Sequence, residues 1–359
     1  MRIGSKINRN HLKSSVERIL KNNRKLFLIA AAVFSCAVFL LYIIVLFIPV
    51  NRIDNPGGIE IVIKRGMSPG LIADVLLKEG VIRNRSSFLL GAKLIGVSRK
   101  LKAGRYRFGG RVTNYFVIRK LFHGDVIKVW VTIPEGSRVS KIAEILNKKF
   151  GIDIDYFMRL VNDTSLCNRF GIDGPNLEGY LYPDTYCFNI DVSSETILET
   201  MVSRFKEIFC DSLRKRAEEM GFSVHEVVTL ASIVEGEAML DSERKTIASL
   251  YLNRLKKNML LQADPTIQYI IKNGPRRLLE KDLMIDSPYN TYIHRGLPPG
   301  PINNPGLASI MAVLYPSKED YLFMVANGDG SHTFSKTISD HIAAKRRFDR
   351  IRKEQNHQF

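Results

Sequence analysis

The sequence predicts an α+β protein with one N-terminal transmembrane helix, a small domain of repeated βα units, and a mixed α/β domain that carries a glutamate-bearing helix and a groove. Three observations predict it. Residues 26–48 read LFLIAAAVFSCAVFLLYIIVLFI, without a charge. A strand-period pattern followed by a helix-period pattern occurs twice, 70 residues apart. Near residue 223 a capped amphipathic helix begins and ends on two glutamates. A length of 359 residues fits two or three domains. The apolar share of 45% and charged share of 25% exclude a disordered chain.

As a helix, the uncharged run is about 35 Å long and crosses a hydrocarbon core of roughly 30 Å. Lys plus Arg exceeds Asp plus Glu by 17, and residues 1–25 hold eight bases against the single acid Glu17. The positive-inside rule then places residues 1–25 in the cytoplasm and the rest outside, as a single-pass protein of the inner (plasma) membrane. A signal peptide would have an apolar region of about 7–15 residues and a small-x-small cleavage site. This run is longer and leaves through Ile48-Pro49-Val50. The remaining surplus of charge comes with no nucleic-acid-binding motif, so no nucleic acid partner is expected. Beyond the span, Cys167, Cys187 and Cys210 are odd in number, so one has no partner among them; spacing leaves a Cys167–Cys187 bridge open.

Residues 49–58, with NRIDNPGG, read as a linker. The repeat domain follows at 59–150. Ile63, Gly66, Ile72, Ala73 and Leu76 recur as Ile133, Gly136, Ile142, Ala143 and Leu146. Alternation at Ile59, Ile61, Ile63 and at Val129, Val131, Ile133 marks half-buried strands, and Ser68-Pro69 opens a helix. One βα unit cannot bury its apolar face alone, so the copies are expected to pack together with the intervening chain. The pattern is similar to LysM modules, which bind glycans containing N-acetylglucosamine; a spacer that keeps the shape without a sugar site fits equally, since the repeat has no aromatic cluster.

The larger domain spans 151–350, followed by a basic tail at 351–359. Several chemistries are absent. His225-Glu226 begins like a zinc protease helix, but Thr229 stands where the second histidine belongs. No nucleophile elbow, P-loop or dinucleotide fingerprint occurs, and no metal or cofactor is expected. Acids among aromatic and amide residues remain, the equipment of a carbohydrate site. In the helix from Ser223, Val227, Leu230, Ala231, Val234 and Ala238 form the apolar stripe. Glu235 and Glu237 diverge by about 200° and flank it. They cannot both face one cleft, and helical geometry does not choose between them. A carboxyl at the edge of an apolar stripe loses hydration, which raises its pKa and suits a general acid. Gly236 between them weakens the helix by about 1 kcal/mol relative to Ala.

Five blocks carry a resemblance: LEGYLYPDTY at 177–186; ASIVEGE at 231–237; LNRL at 252–255 with LQADPT at 261–266; YNTY at 289–292 leading into GLPPGPI at 296–302; and GSHTF at 330–334. In this order the chain resembles the YceG-like endolytic peptidoglycan transglycosylases, membrane-anchored lyases of cell wall biogenesis with a LysM-like subdomain. The resemblance implies non-hydrolytic cleavage of the MurNAc–GlcNAc bond of nascent strands, leaving 1,6-anhydro-MurNAc ends. One glutamate acts as acid and then as base, and the family's catalytic position falls on Glu237, with Glu235 the alternative. Gly236 departs from the family, where a longer residue such as Lys is usual.

Further roles are expected around the acid. Tyr180, Tyr182 and Tyr186 alternate and offer either faces for sugar rings or a packed aromatic corner. Asn253, Gln262 and Asp264 could hold sugar hydroxyls and N-acetyl groups, or cap turns. Tyr289, Asn290 and Thr291 read as a cleft wall ahead of the rigid Gly-Leu-Pro-Pro-Gly loop. His332 follows a hairpin turn and is expected beside the acid. Peptidoglycan strands are the expected partner, with cell-wall synthases as possible companions. A non-catalytic scaffold that binds peptidoglycan and recruits synthases is the alternative function.

Overall fold

The structure of the chain, a computed structural model, describes residues 9–356 apart from Asn273. The start of the expected cytoplasmic segment (1–8) and the end of the basic tail (357–359) lie outside the described residues. Helix α1, Arg9–Phe47, contains the stretch Asn23–Phe47, long and apolar enough to cross a membrane, with mean hydropathy 2.8 and no burial inside the protein across its most apolar window. The chain divides into two compact units, the first taking in α1, ending at Lys128 and including Asn189–Asp191.

In the first unit, β1 (Pro49–Ile53) pairs antiparallel with β4 (Gly110–Thr113), and β2 (Ile59–Ile63) with β3 (Gly104–Phe108). Between β2 and β3 run α2 (Pro69–Lys78) and α3 (Arg85–Leu94), and α4 (Asn114–His123) follows β4. Each helix starts where the sequence supplies a side-chain acceptor: Ser68 takes the Leu71 N–H at 3.3 Å, Asn84 the Ser87 N–H at 3.0 Å and Thr113 the Phe116 N–H at 3.1 Å. The strand alternation holds, with Ile61 and Ile63 buried against Ile72, Leu76 and Phe88. The last turn of α1 joins this core: Leu46 is fully buried, and the Val45 carbonyl accepts from Asn114 Nδ2 at 2.8 Å. The linker expectation is corrected, because Pro49–Ile53 is a strand and Ile53 is buried; backbone pairing with β4 outweighs the turn-forming composition.

The second unit begins with β5 (Lys128–Thr132), which shares a sheet with β6 (Thr185–Asn189). Between them run α5 (Val139–Phe150), α6 (Ile154–Val161) and α7 (Thr164–Arg169). The repeat is therefore more complete than its sequence signature: both copies open with a strand, continue through helices and end on a strand that pairs with the first. The copies do not share a core. Val131, Ile133, Ile142, Ala143 and Leu146 belong to the large hydrophobic cluster of the second unit, while their first-copy counterparts belong to that of the first. The compact units accordingly divide at Lys128 rather than at the expected 150.

Helices α8 (Ser194–Ile208), α9 (Asp211–Glu219), α10 (Val224–Glu237), α11 (Arg244–Lys256), α12 (Asp264–Ile270) and α13 (Leu307–Leu314) follow, then the hairpin β7 (Phe323–Ala326) and β8 (His332–Ser335), and α14 (Ile338–Asn356). The capping box that predicts α10 is present, Ser223 and Glu226 exchanging bonds at 3.2 and 2.8 Å. The expected one-sided stripe is exceeded: every residue from Val227 to Val234 is buried, because α9, α11, α12 and α13 all pack on this helix. All four cysteines are free, with Cys167 buried and Cys187 exposed, so the Cys167–Cys187 bridge is not formed. In α14, Lys345, Arg346, Arg347 and Arg350 form an exposed basic face.

Candidate active site

The last turn of α10 forms the floor of a groove of about 860 Å³. One wall is the turn Pro134–Arg138 of the second repeat copy with Lys141 and Glu144 of α5; the other is the first turn of α12, with Asp264, Pro265 and Gln268; Ile302 and Asn303 close it. Long-range bonds set this arrangement. Buried Asn304 donates to the Ser137 carbonyl at 2.8 Å and to Glu178 Oε1 at 3.0 Å, and accepts from the Leu181 N–H at 2.9 Å. Gly136, with φ +70°, supplies the turn that brings this segment back.

Glu237 is part-buried in the floor, and Glu235 is outside the groove. The Tyr251 hydroxyl, itself buried on α11, donates to Glu237 Oε1 at 2.7 Å. Burial pushes the Glu237 carboxyl up to about 7, helped by the charge of Asp264, and against the pull of the Tyr251 hydroxyl, the Arg254 guanidinium and the Asp264 N–H. Near neutrality it therefore exists in both protonation states, as a group that both gives and takes a proton requires. Glu235 does not line the groove: it pairs with Arg244 at 3.2 Å and accepts the Gly306 N–H at 3.0 Å. Both partners of that pair are nearly buried, with side-chain exposures of 7% and 10%. The 200° divergence thus gives the two acids different work, one facing the groove and one locking α10 to the start of α13.

Gly236 has a steric reason. A Cβ there would lie 2.7 Å from Pro265 Cβ, so the close approach of α10 to α12 is made by the missing side chain. Gly236 thereby lets the floor at Glu237 and the wall at Asp264 and Pro265 approach each other.

Of the other residues singled out in the sequence, Asp264 lines the groove and accepts from the Tyr292 hydroxyl. Gln262 is exposed outside it, in a left-handed turn at φ +49°, its Oε1 taken by Arg254 at 3.4 Å. Asn290 is fully buried and satisfied by the Leu283 and Ile285 carbonyls and the Tyr292 N–H. Thr291 braces the 262–263 turn from behind, and Tyr289 packs on Tyr269 with ring centroids 5.0 Å apart. The expected cleft wall is thus a support behind the groove. Asn253 anchors the Glu319 and Tyr321 carbonyls ahead of β7. Tyr180, Tyr182 and Tyr186 are buried, the Tyr186 hydroxyl donating to the Tyr182 carbonyl, so the packed aromatic corner is what forms. His332 holds Glu243 at 2.7 Å rather than Glu237, because β8 runs beside the turn that precedes α11.

Sequence reasoning passed over Glu135, Ser137, Arg138, Gln268 and Asn303, all in the groove, and Tyr251 beneath it. A signal existed for the first three: they follow the strand of the second repeat copy at its glycine turn. The surplus positive charge does not line the groove, whose walls carry Glu135, Glu144, Glu237 and Asp264 against Arg138 and Lys141.

Fold and site together define the class. Residues 61–347 match the YceG-like family, and the chain belongs to it. Over 316 residues it is 34% identical to the endolytic murein transglycosylase of Bacillus subtilis strain 168, covering 84% of this chain and 87% of that relative. It is 26% identical over 335 residues to the protein of the same name from Streptococcus pneumoniae strain R6, where the match covers 84% of this chain and the chain spans 60% of the relative. A crystal structure of a yceG-like protein from Listeria monocytogenes aligns with a TM-score of 0.56 at 36% identity, over 79% of this chain and 98% of that one.

Proposed function

We propose that this chain is an endolytic murein transglycosylase in which Glu237 is the acid and then the base. The observation that carries the reading is one carboxyl, held near neutrality by burial, on the floor of an open groove. Family membership and the names of the relatives support the substrate class. Protonated Glu237 gives its proton to the oxygen of the MurNAc–GlcNAc bond as that bond breaks. The resulting carboxylate takes the proton of the C6 hydroxyl of the same MurNAc. The C6 oxygen closes on C1, and the strand ends in 1,6-anhydro-MurNAc with no water consumed. A two-carboxylate hydrolase needs a second acid across the bond; Glu235 is committed to Arg244, and because Glu135, Glu144 and Asp264 also line the groove, the chemical form of the product is what separates the two mechanisms. The Tyr251 hydroxyl and the Asp264 N–H stabilise the carboxylate between the two transfers. The basic N-terminus supports, by the positive-inside rule, an orientation with the groove on the outer side of the membrane. The LysM-like unit as a glycan holder and cell-wall synthases as partners rest on the resemblance alone, and a pull-down from crosslinked membranes tests the latter.

The experiment uses the full-length protein in detergent and its Glu237→Gln variant on purified uncrosslinked strands, with products weighed by mass spectrometry. Anhydro ends from the parent and none from the variant are expected. Reducing ends, heavier by one water, would overturn the mechanism; strands bound but uncut by the parent would favour the scaffold.

A further inference from the structure

Beside the Glu237 groove lies a second cavity of about 610 Å³, and the two share Arg138 and Ser140 in their walls. Arg138 stands just before α5, with its guanidinium over the Tyr269 ring, 5.4 Å from the centroid. Among the described residues no side chain or carbonyl accepts a hydrogen bond from it. The other cation of the groove, Lys141, is paired with Glu144 at 3.0 Å. The carboxyl nearest in charge to Arg138, Glu178, is engaged by the Val139 N–H and by Asn304. Burial pushes that carboxyl up to about 8, against the pull of the Val139 N–H, Arg138 and Asn304.

We propose that Arg138 reads a carboxylate carried by the substituent of the muramyl sugar whose glycosidic bond lies at Glu237, so that the second cavity receives this substituent; the assignment rests on the transglycosylase reading above. In murein the lactyl ether at C3 of MurNAc is amide-linked to a stem peptide that bears free carboxylates. A guanidinium stacked on an aromatic ring keeps its N–H edge available, and its planar fork matches a carboxylate with two parallel bonds. Partial burial strengthens such a bond relative to one in open water. The choice of a single carboxylate over a polyanion follows from the neighbours: Glu135, Glu144 and Asp264 line the same groove and repel a run of negative charge.

The test measures binding by calorimetry with the full-length Glu237→Gln protein in detergent, so that no probe is cut. Three probes are used: a tetrasaccharide strand with stem carboxylates free, the same strand with them converted to carboxamides, and the strand stripped of its stems, which exposes the lactyl carboxylates. The free-carboxylate strand is expected to bind about tenfold tighter than the carboxamide strand, the scale of one charge-assisted bond. Arg138→Gln in the same background is expected to erase that preference, and Arg138→Lys to retain part of it. If the stripped strand matches the carboxamide strand, the stem peptide supplies the carboxylate; if it binds as tightly as the full strand and depends equally on Arg138, the lactyl group does. Equal binding of the carboxylate and carboxamide strands to the parent overturns the assignment without any substitution, while leaving the glycan groove standing. A preference that survives Arg138→Gln also overturns it. Failure of every strand to bind removes the transglycosylase reading along with it.

Discussion

Removing one oxygen atom tests the electrostatics of the floor. In Tyr251→Phe, Glu237 loses the hydroxyl that donates to its Oε1 at 2.7 Å. The bond favours the carboxylate over the acid, so its loss raises the carboxyl further. A hydrogen bond to a charged group contributes about 1.5–3 kcal/mol, and one pKa unit corresponds to about 1.4 kcal/mol, so the rise is about one to two units. The starting value is about 7. Rates of formation of anhydro ends, measured as kcat/KM between pH 5 and 10, report the free enzyme's ionisation. Activity that needs protonated Glu237 falls above pH 7 in the parent, and in the variant that alkaline limb is expected to move to between about pH 8 and 9. The benzyl ring keeps the buried packing, so the shift is read without a cavity. An alkaline limb that stays near pH 7, or moves down, would refute the claim that Glu237 is the titrating acid beneath the substrate.

Other perturbations separate the two glutamates and the glycine between them. Glu237 has a folded-state pKa raised from 4.5 to about 7, so unfolding between those values releases a proton and parent stability declines as pH rises through that window. Glu237→Gln is therefore expected to melt at a higher temperature than the parent at pH 8 and at the same temperature at pH 4, by differential scanning calorimetry, while producing no anhydro ends. Glu235→Gln breaks the nearly buried pair with Arg244, which keeps Asp241 and Ser309 as partners. A loss of about 3 kcal/mol in denaturant titration is expected, with anhydro ends still produced; abolished cleavage at unchanged stability would reverse the assignment of the two acids. In Gly236→Ala the new Cβ, 2.7 Å from Pro265, forces α12 outward. Overpacking at about 1–3 kcal/mol is partly offset by about 1 kcal/mol of helix propensity, so a net loss of about 0–2 kcal/mol, a fall of up to several degrees in melting temperature, accompanies a severalfold fall in cleavage.

The signals that were legible in sequence are local ones. A charge-free run is long enough to cross a membrane, and the Ser68 and Ser223 caps each act within three residues of the chain. Strand alternation located β2 and β5 because the side-chain period is fixed by backbone geometry. The helical angle between Glu235 and Glu237 is likewise local, and it correctly kept them on different sides. Amide and aromatic residues left two readings open for a single reason. Asn290, Asn253 and Tyr186 have hydrogen-bonding groups that suit a sugar as well as a buried carbonyl, and composition does not tell which acceptor will arrive.

What only the tertiary structure decided is which partner meets each side chain. Glu237 faces the groove because Tyr251, Asp264 and Pro265 come to it from α11 and α12, and Glu235 is consumed because Arg244 and Gly306 come to the other side. The groove exists because Asn304 ties Ser137 and Glu178 together across 167 and 126 residues of sequence. The sequence by itself determined the long apolar helix, the repeated units and the pair of candidate acids. Setting one of those acids in the groove and the other against Arg244, and turning the second repeat into a groove wall, required contacts between distant segments, which form only when the apolar faces of the helices are buried together and the polar groups carried in with them must find one another.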